Sequence, residues 1–254
     1  LELPGTPFGD ETLGAEQQPW LALLDDGIFP EPAGAYPGSV HLHPVLVDAL
    51  ASSGGWAAPA LRGVALAASG DWDAAVVAWQ DSVMRRDNPY ARRNLAVAAR
   101  RAGAAEAMVA QYRRALVLAA ELSAGDLTEH RALVIEALEA MTSTGAEDDA
   151  ATALRLVDVL PAALRTLGRV RMWEAKAALL AGDPDRADAI LADETLEVAD
   201  LREGEESLDE LFFACQAARL ARQRGVAPTA DLRAEVERTV PLPAHLDFRM
   251  KPGA

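Results

Sequence analysis

From residue 44 onward, apolar positions recur three and four apart, and short groups of Gly, Asp and Pro break the runs they form. That period keeps one face of a helix against a core. The breaks are the residues that end one helix and start the next. The pattern predicts an all-α chain of helices joined by tight turns. Residues 1–43 read differently. "LELPGTPFGDETLG" and "GIFPEPAGAYPGS" are rich in Pro and Gly, with one apolar segment, "WLALL", between them. This predicts an irregular arm or linker that packs on its neighbour through Trp20, Leu21 and Leu24. Residues 44–240 read as one helical repeat domain with C-terminal capping helices, and 241–254, which include "PLPAHLDFRMKP", as an extended tail.

The turn glycines repeat. "SGDWDAA", "AGAAEAM", "TGAEDDA" and "AGDPDRA" place Gly70, Gly103, Gly145 and Gly182 at intervals of 33, 42 and 37 residues. Across the first interval Gly63 aligns with Ala96, Trp79 with Tyr112 and Ser82 with Ala115. Leu154 and Val157, then Leu191 and Glu194, hold the corresponding places in the third and fourth units. Antiparallel helices approach closely only where side chains are small, so Gly63, Ala75 and Ser82 mark the contact line of the first hairpin. Trp79 then fills the space before the next hairpin. Each turn glycine supplies the left-handed conformation that closes a helix. One such hairpin cannot bury its apolar face alone, so hairpins must stack. In "SGDWDAAVVAWQDSV", Asp71 and Asp73 therefore read as residues at a helix entrance, where carboxylates meet exposed amides, and Trp72 as a cover for the turn. Further on, "SLDELFFACQAARLARQRG" has Ser207 and Glu210 at capping-box spacing and ends on Gly225. Its stripe of Leu208, Leu211, Phe212, Cys215 and Leu220 suits closure of the last open face.

Composition supports the helical reading. Half of the 254 residues are hydrophobic, mostly Ala and Leu, which favour helix over strand. The net charge of −15 makes a surface that repels phosphate backbones and anionic lipid. Neither nucleic acid nor a membrane surface is an expected partner. Cys215 is the single cysteine, which excludes an intramolecular disulfide and a Cys-based metal cluster. No apolar run is long enough to span a bilayer and no signal peptide opens the chain, so the expected location is cytoplasmic.

Motifs for chemistry are scarce. The chain lacks a dinucleotide fingerprint, a P-loop, HExxH and GxSxG. "VHLHP" puts His41 and His43 on one side of an extended segment, with Asp48 the nearest carboxylate; two histidines without a third ligand read as ordinary polar residues. The acidic runs at 147–149, "DPDRAD" and "REGEESLDE" sit where helices begin and read as caps rather than catalytic pairs. No cofactor and no catalytic residue is expected.

The small residues flanking each turn and the interval near 34 residues resemble the tetratricopeptide repeat family, closely over residues 57–122 and loosely over 126–195, through an insertion near "AAELSAGDLTEH". The resemblance implies a superhelical α-solenoid without catalytic activity that binds a protein or peptide, or docks another domain of its own protein, along a concave groove. In that family the first helix of each unit faces the groove. The alignment then assigns Arg93, Asn94, Arg100 and Arg101 in "PYARRNLAVAARRAG", together with Arg169 and Lys176, as candidate contacts to an acidic partner. In the first unit the groove reads Leu61, Val64, Ala67 and Ala68, and is apolar. A second reading stands beside this one: the arginines pair with the protein's own carboxylates. "RNLAVA", "EQQPWLALL" and "PLPAHLDFRMKP" also resemble large bacterial proteins in which such repeats follow β-rich domains similar to galactose mutarotases. That likeness implies a carboxy-terminal accessory module of a longer, carbohydrate-active enzyme. A first residue Leu1 rather than Met fits that expectation.

Overall fold

The computed structural model describes residues 14–32, 34, 36, 38–198, 201 and 208–247. Among them every regular element is helical: thirteen α-helices and two three-ten turns. The chain divides into two compact units, Leu1–Gly125 and Asp126–Ala254. The division falls inside the 44–240 segment that the sequence pattern presents as one repeat domain.

In the first unit, α1 (Gln18–Asp26) and α2 (Pro44–Ser52) precede two hairpins, α3 (Ala57–Ala68) with α4 (Trp72–Arg85) and α5 (Pro89–Arg101) with α6 (Ala105–Leu122). The joints of the two hairpins share one geometry. Gly70 (φ 93°) donates to Ala67 and the next amide, Asp71, donates to Leu66 at 2.9 Å; Gly103 (φ 71°) donates to Arg100 and Ala104 donates to Ala99 at 2.9 Å. A left-handed glycine thus satisfies the last carbonyls of the first helix. Asp71 opens the second helix by accepting from the Ala74 amide at 3.1 Å. Its carboxylate is a cap, as its place in the sequence predicts.

The small-residue line works as expected. A Cβ at Gly63 would stand 2.4 Å from Trp79 Nε1, which donates to the Ala60 carbonyl at 3.1 Å. Ser82 is fully buried and donates to the Trp56 carbonyl at 2.8 Å, and Asn88 donates to Ser82 at 3.0 Å while capping α5. Trp79 lies in one cluster with Ala75 and Ala91, flanked by Val64 and Leu95, so the indole fills the seam between successive hairpins. Tyr112, Ala96 and Ala115 are buried at the equivalent places in the second hairpin.

The arm departs from its predicted irregularity. Residues 18–26 form α1, which starts with Pro19 in its first turn and ends on left-handed Gly27 (φ 71°). Trp20 and Leu23 enter the core with Phe29, Leu50, Trp56 and Leu61, whereas Leu24 is 49% exposed. A helical turn from Trp20 reaches residues 23 and 24, and Leu23 is the one on the inner face. Phe29 donates its amide to Ser53 Oγ at 2.8 Å, and Glu31 Oε1 accepts the Trp56 amide at 2.6 Å, capping α3 from 25 residues upstream. Arg85 adds bonds to the Ser53 and Gly55 carbonyls, both at 3.0 Å.

The 42-residue interval has a local cause. Helix α6 runs 18 residues, four longer than α4, and ends through Ala124 (φ 51°) and Gly125 (φ 90°) before a three-ten turn at Thr128–His130.

The second unit contains α7 (Arg131–Ser143), α8 (Glu147–Val159), the single turn α9 (Ala162–Arg165), α10 (Gly168–Leu180), α11 (Pro184–Leu191), α12 (Leu208–Arg224) and α13 (Ala230–Thr239). Helix α10 is its centre, packed by α7, α8, α11 and α12. Its buried Val170, Met172, Trp173, Ala175, Ala177 and Ala178 spread over more than one face, as a surrounded helix requires. The α10–α11 joint repeats the geometry of the first unit: Gly182 donates to Leu179, Asp183 donates to Ala178 at 2.8 Å, and Asp183 caps α11. The joint at Gly145 does not; there Ala146 donates to Thr144 Oγ1 instead. Helix α11 stops at Leu191, so Glu194 lies beyond it and is exposed, not a small packing residue as its alignment suggests.

In α12, Leu208, Leu211, Phe212 and Cys215 are buried, with Ala217 and Ala221 continuing the stripe in place of the half-buried Leu220. The predicted Ser207 cap lies outside the described residues. Residues 241–247 are not a free extended tail. They turn through Ala244–Leu246, bury Leu246 completely, and bring His245 Nε2 to 3.0 Å from the Leu191 carbonyl. No helix of the described residues is long and apolar enough to cross a membrane.

Candidate functional site

The candidate contacts divide between the units: Arg93, Asn94, Arg100 and Arg101 lie on α5, and Arg169 and Lys176 on α10.

On α5 the basic cluster separates into side chains with different work. Arg92 donates to Asp87 at 2.7 Å and to Gln111 at 3.0 Å, and Arg114 of α6 donates to the other Asp87 oxygen at 2.8 Å. Partial burial pushes the Asp87 carboxyl up, but the two guanidinium hydrogen bonds outweigh it and hold the group below its usual range. Arg92 is thereby a brace between α6 and the start of α5. Arg101 stands 4.9 Å over the ring of Trp72, which meets Trp79 edge to face at 6.3 Å. Trp72 therefore supports the end of the next hairpin's first helix, beyond covering its own turn, and Arg101 serves that packing as well as facing water.

Arg93 and Arg100 remain as a pair. Seven residues along one helix separate them by about 10 Å. Arg93 is half-buried and donates to Asn94 Oδ1 at 3.1 Å. Asn94 differs from the expected surface contact. It is 4% exposed and its Nδ2 has no acceptor. Burial pushes the Tyr90 phenol up, against the opposing pull of the Arg93 charge. Asn94 thus orients Arg93 from beneath, while Tyr36 of the arm covers Tyr90 edge to face at 6.0 Å. Arg93, Arg100, Arg169 and Lys176 all have interactions within the molecule, which favours the reading that they serve the protein itself at least in part.

On α10, Arg169 borders a cleft of about 650 Å³ with Arg131, Glu136, Glu139 and Glu197, a mixed-charge lining rather than a purely basic one. The α10 start is tightly framed, since a Cβ at Gly168 would stand 1.8 Å from the Glu197 carbonyl oxygen. Lys176 lies two turns along, its ammonium 5.5 Å over Trp173. Below it Arg186 joins Glu174 and Asp158, each at 2.7 Å, tying α11 to α10 and α8.

The histidines of "VHLHP" have structural roles. His43 Nδ1 accepts the Val45 amide at 3.4 Å as the cap of α2, and His41 packs edge to face on Trp20 at 4.7 Å. Among the described residues no group of three His, Cys, Asp or Glu side chains is placed to hold a metal ion. The Cys215 thiol is fully buried and donates to the Pro184 carbonyl; burial, with Asp188 and Asp185 nearby, pushes it up to about 12. It is not a nucleophile at neutral pH.

Sequence reasoning passed over Arg62. It is the one charged residue of α3, "AAPALRGVALAA", and a cation inside so apolar a helix is itself a signal. Its Nε is buried without an acceptor, and it borders a cleft of about 340 Å³ between α2, α3 and α4.

Comparison of the chain with protein-family models, with curated proteins and with solved structures finds no match in any of the three.

Proposed function

We propose that the protein is a non-catalytic scaffold whose tetratricopeptide-like hairpins stack as a superhelical solenoid and dock an acidic protein or peptide segment, from a separate partner or from an upstream domain of its own polypeptide. The observation that carries this reading is the pair of interlocked hairpins over residues 57–122. The Gly63–Trp79 packing has counterparts 33 residues on in the buried Ala96 and Tyr112, and Arg93 and Arg100 stand in line on α5. Two guanidiniums about 10 Å apart match two carboxylates on an extended or helical segment, each bound through a planar fork. Because both arginines already have contacts in the protein, a partner's carboxylates act by exchange, so binding is fast, modest in strength and sensitive to salt.

The test is quantitative affinity capture with the wild-type chain against Arg93→Ala/Arg100→Ala. A partner bound through this face is lost or weakened at least tenfold in the variant and elutes from the wild type as salt rises through a few hundred millimolar. A partner set with unchanged affinities removes the α5 face from consideration.

A further inference from the structure

Helix α3 presents a cation that the protein does not neutralise. Among the described residues Arg62 makes no hydrogen bond and no ion pair, and its Nε is shielded from water. Arg113, Arg131 and Arg165 also lack partners, but they are exposed and water solvates them. Arg62 is half-buried, in a chain of 39 acidic residues, so shortage of carboxylates is not the reason it stands alone. The one acid that lines the cleft, Asp81, is held by Arg85 through bonds of 2.7 and 3.1 Å, and Arg85 is further fixed on the Ser53 and Gly55 carbonyls. That pair is neutral together, which leaves the cleft with the single positive charge of Arg62.

Apart from the uncharged amide of Gln80, the remaining lining is apolar: Leu50 and Ala51 from α2, Pro59 from α3, and Val77, Ala78 and Met84 from α4. Val77 and Met84 are 64% and 79% exposed, one helical step of seven apart, so they form an uncovered apolar rim beside the charge. At about 340 Å³ the cleft matches the lower end of small-ligand sites and is too small for a folded partner element. A planar guanidinium that lacks an acceptor, next to an apolar wall, is complementary to a carboxylate on a short apolar body.

We infer that this cleft between α2, α3 and α4 is a binding site for a small apolar monocarboxylate, with Arg62 holding the carboxylate and Val77 and Met84 covering the hydrocarbon. The site is independent of the α5 face and does not rest on the scaffold reading.

Hexanoate is the probe, and hexanamide its uncharged counterpart of the same shape. The readout is the methyl resonance of Met84 in protein labelled at methionine methyl groups, with the buried Met108, Met141 and Met172 as internal reporters of fold. Hexanoate shifts Met84 to saturation with a Kd below about 10 mM, leaves the three buried methyls in place, and binds at least tenfold more tightly than hexanamide. Arg62→Gln weakens hexanoate about tenfold or more without moving the buried methyls. Val77→Asp, a change at an exposed position, weakens it similarly by placing a negative charge on the rim. Equal binding of hexanoate and hexanamide overturns the proposal, as does undiminished affinity in both variants or no saturation in that range. Should Arg62→Gln perturb the buried methyls, Val77→Asp alone decides.

Discussion

Replacing Gly63 by alanine sets two effects against each other, and their sizes decide the sign. In an unencumbered helix interior the change stabilises by about 1 kcal/mol through helix propensity. Here the new methyl would stand 2.4 to 2.8 Å from three atoms of the Trp79 indole. The ring has no room to withdraw: it is 2% exposed and hydrogen-bonded to the Ala60 carbonyl. Overpacking of this kind costs about 1–3 kcal/mol, and loss of the indole bond about 1 kcal/mol more. The net expectation for Gly63→Ala is destabilisation by about 2 kcal/mol. The second hairpin offers a resolution of the conflict, because Ala96 and the smaller ring of Tyr112 hold the corresponding positions there, and both are buried. Trp79→Tyr alone leaves a void and also destabilises. The double variant, which recreates the second hairpin's pair, regains at least 1 kcal/mol relative to the sum of the singles. Urea unfolding followed by tryptophan fluorescence is the assay, since four of the five tryptophans, Trp20, Trp56, Trp72 and Trp79, lie in the first unit. A neutral or stabilising Gly63→Ala, or single effects that add within about 0.5 kcal/mol, would refute the account of the hairpin interlock.

Three further outcomes are expected. Cys215, with its thiol pushed up to about 12, reacts with a disulfide reagent at pH 8 only after urea unfolds the protein; rapid modification of native protein would contradict its burial. Asp193 accepts from the Thr195 hydroxyl and amide and from Arg171, which lower its carboxyl from 3.8 to about 2. A carboxyl lowered by folding contributes stability that is complete above pH 3.8 and lost as pH falls through about 2. A carboxyl-carbon titration showing a midpoint near 3.8 for Asp193 would rule this out. Arg62→Met removes a shielded nitrogen that has no acceptor, and raises the unfolding free energy of the first unit by about 1 kcal/mol in the absence of any carboxylate, as seen in the same fluorescence-detected urea curve.

The hairpins were legible because their signals are local and repeated. Gly63, Trp79 and Ser82 recur in kind at Ala96, Tyr112 and Ala115, and one left-handed glycine followed by a capping Asp marks the joints at Gly70 and Gly182. Helix α1 carried equally local marks, Pro19 at its start and Gly27 at its end, but the surrounding Pro and Gly made it look like part of a linker. The fourth unit misled at Glu194 because an alignment by interval assumes equal helix lengths, and α11 has only eight residues. The candidate face was legible as a row of arginines but not in its division of labour. That Arg92 shares Asp87 with Arg114, that Arg101 lies over Trp72 and that Asn94 is buried depend on residues brought in by other helices. Arg62 is the converse case. The apolar run of α3 marks it in sequence, but the partner it lacks shows only once the helices around it are packed.

The glycine joint between α3 and α4 has a consequence for what the chain tolerates. Only Ser69, Gly70 and Asp71 separate the two helices, and Asp71 also fixes where the second begins. The joint therefore sets the rotational phase of α4 as well as its direction. One residue added there turns the following helix by about 100°, which carries Trp79 away from the notch at Gly63 and puts the small Ala78 in its place. The connection from Leu122 to Arg131 is longer, since Ser123 to Leu127 intervene before the next helical turn. An insertion is thus rejected inside the first hairpin, where three residues set both the direction of the second helix and the face it turns to the first.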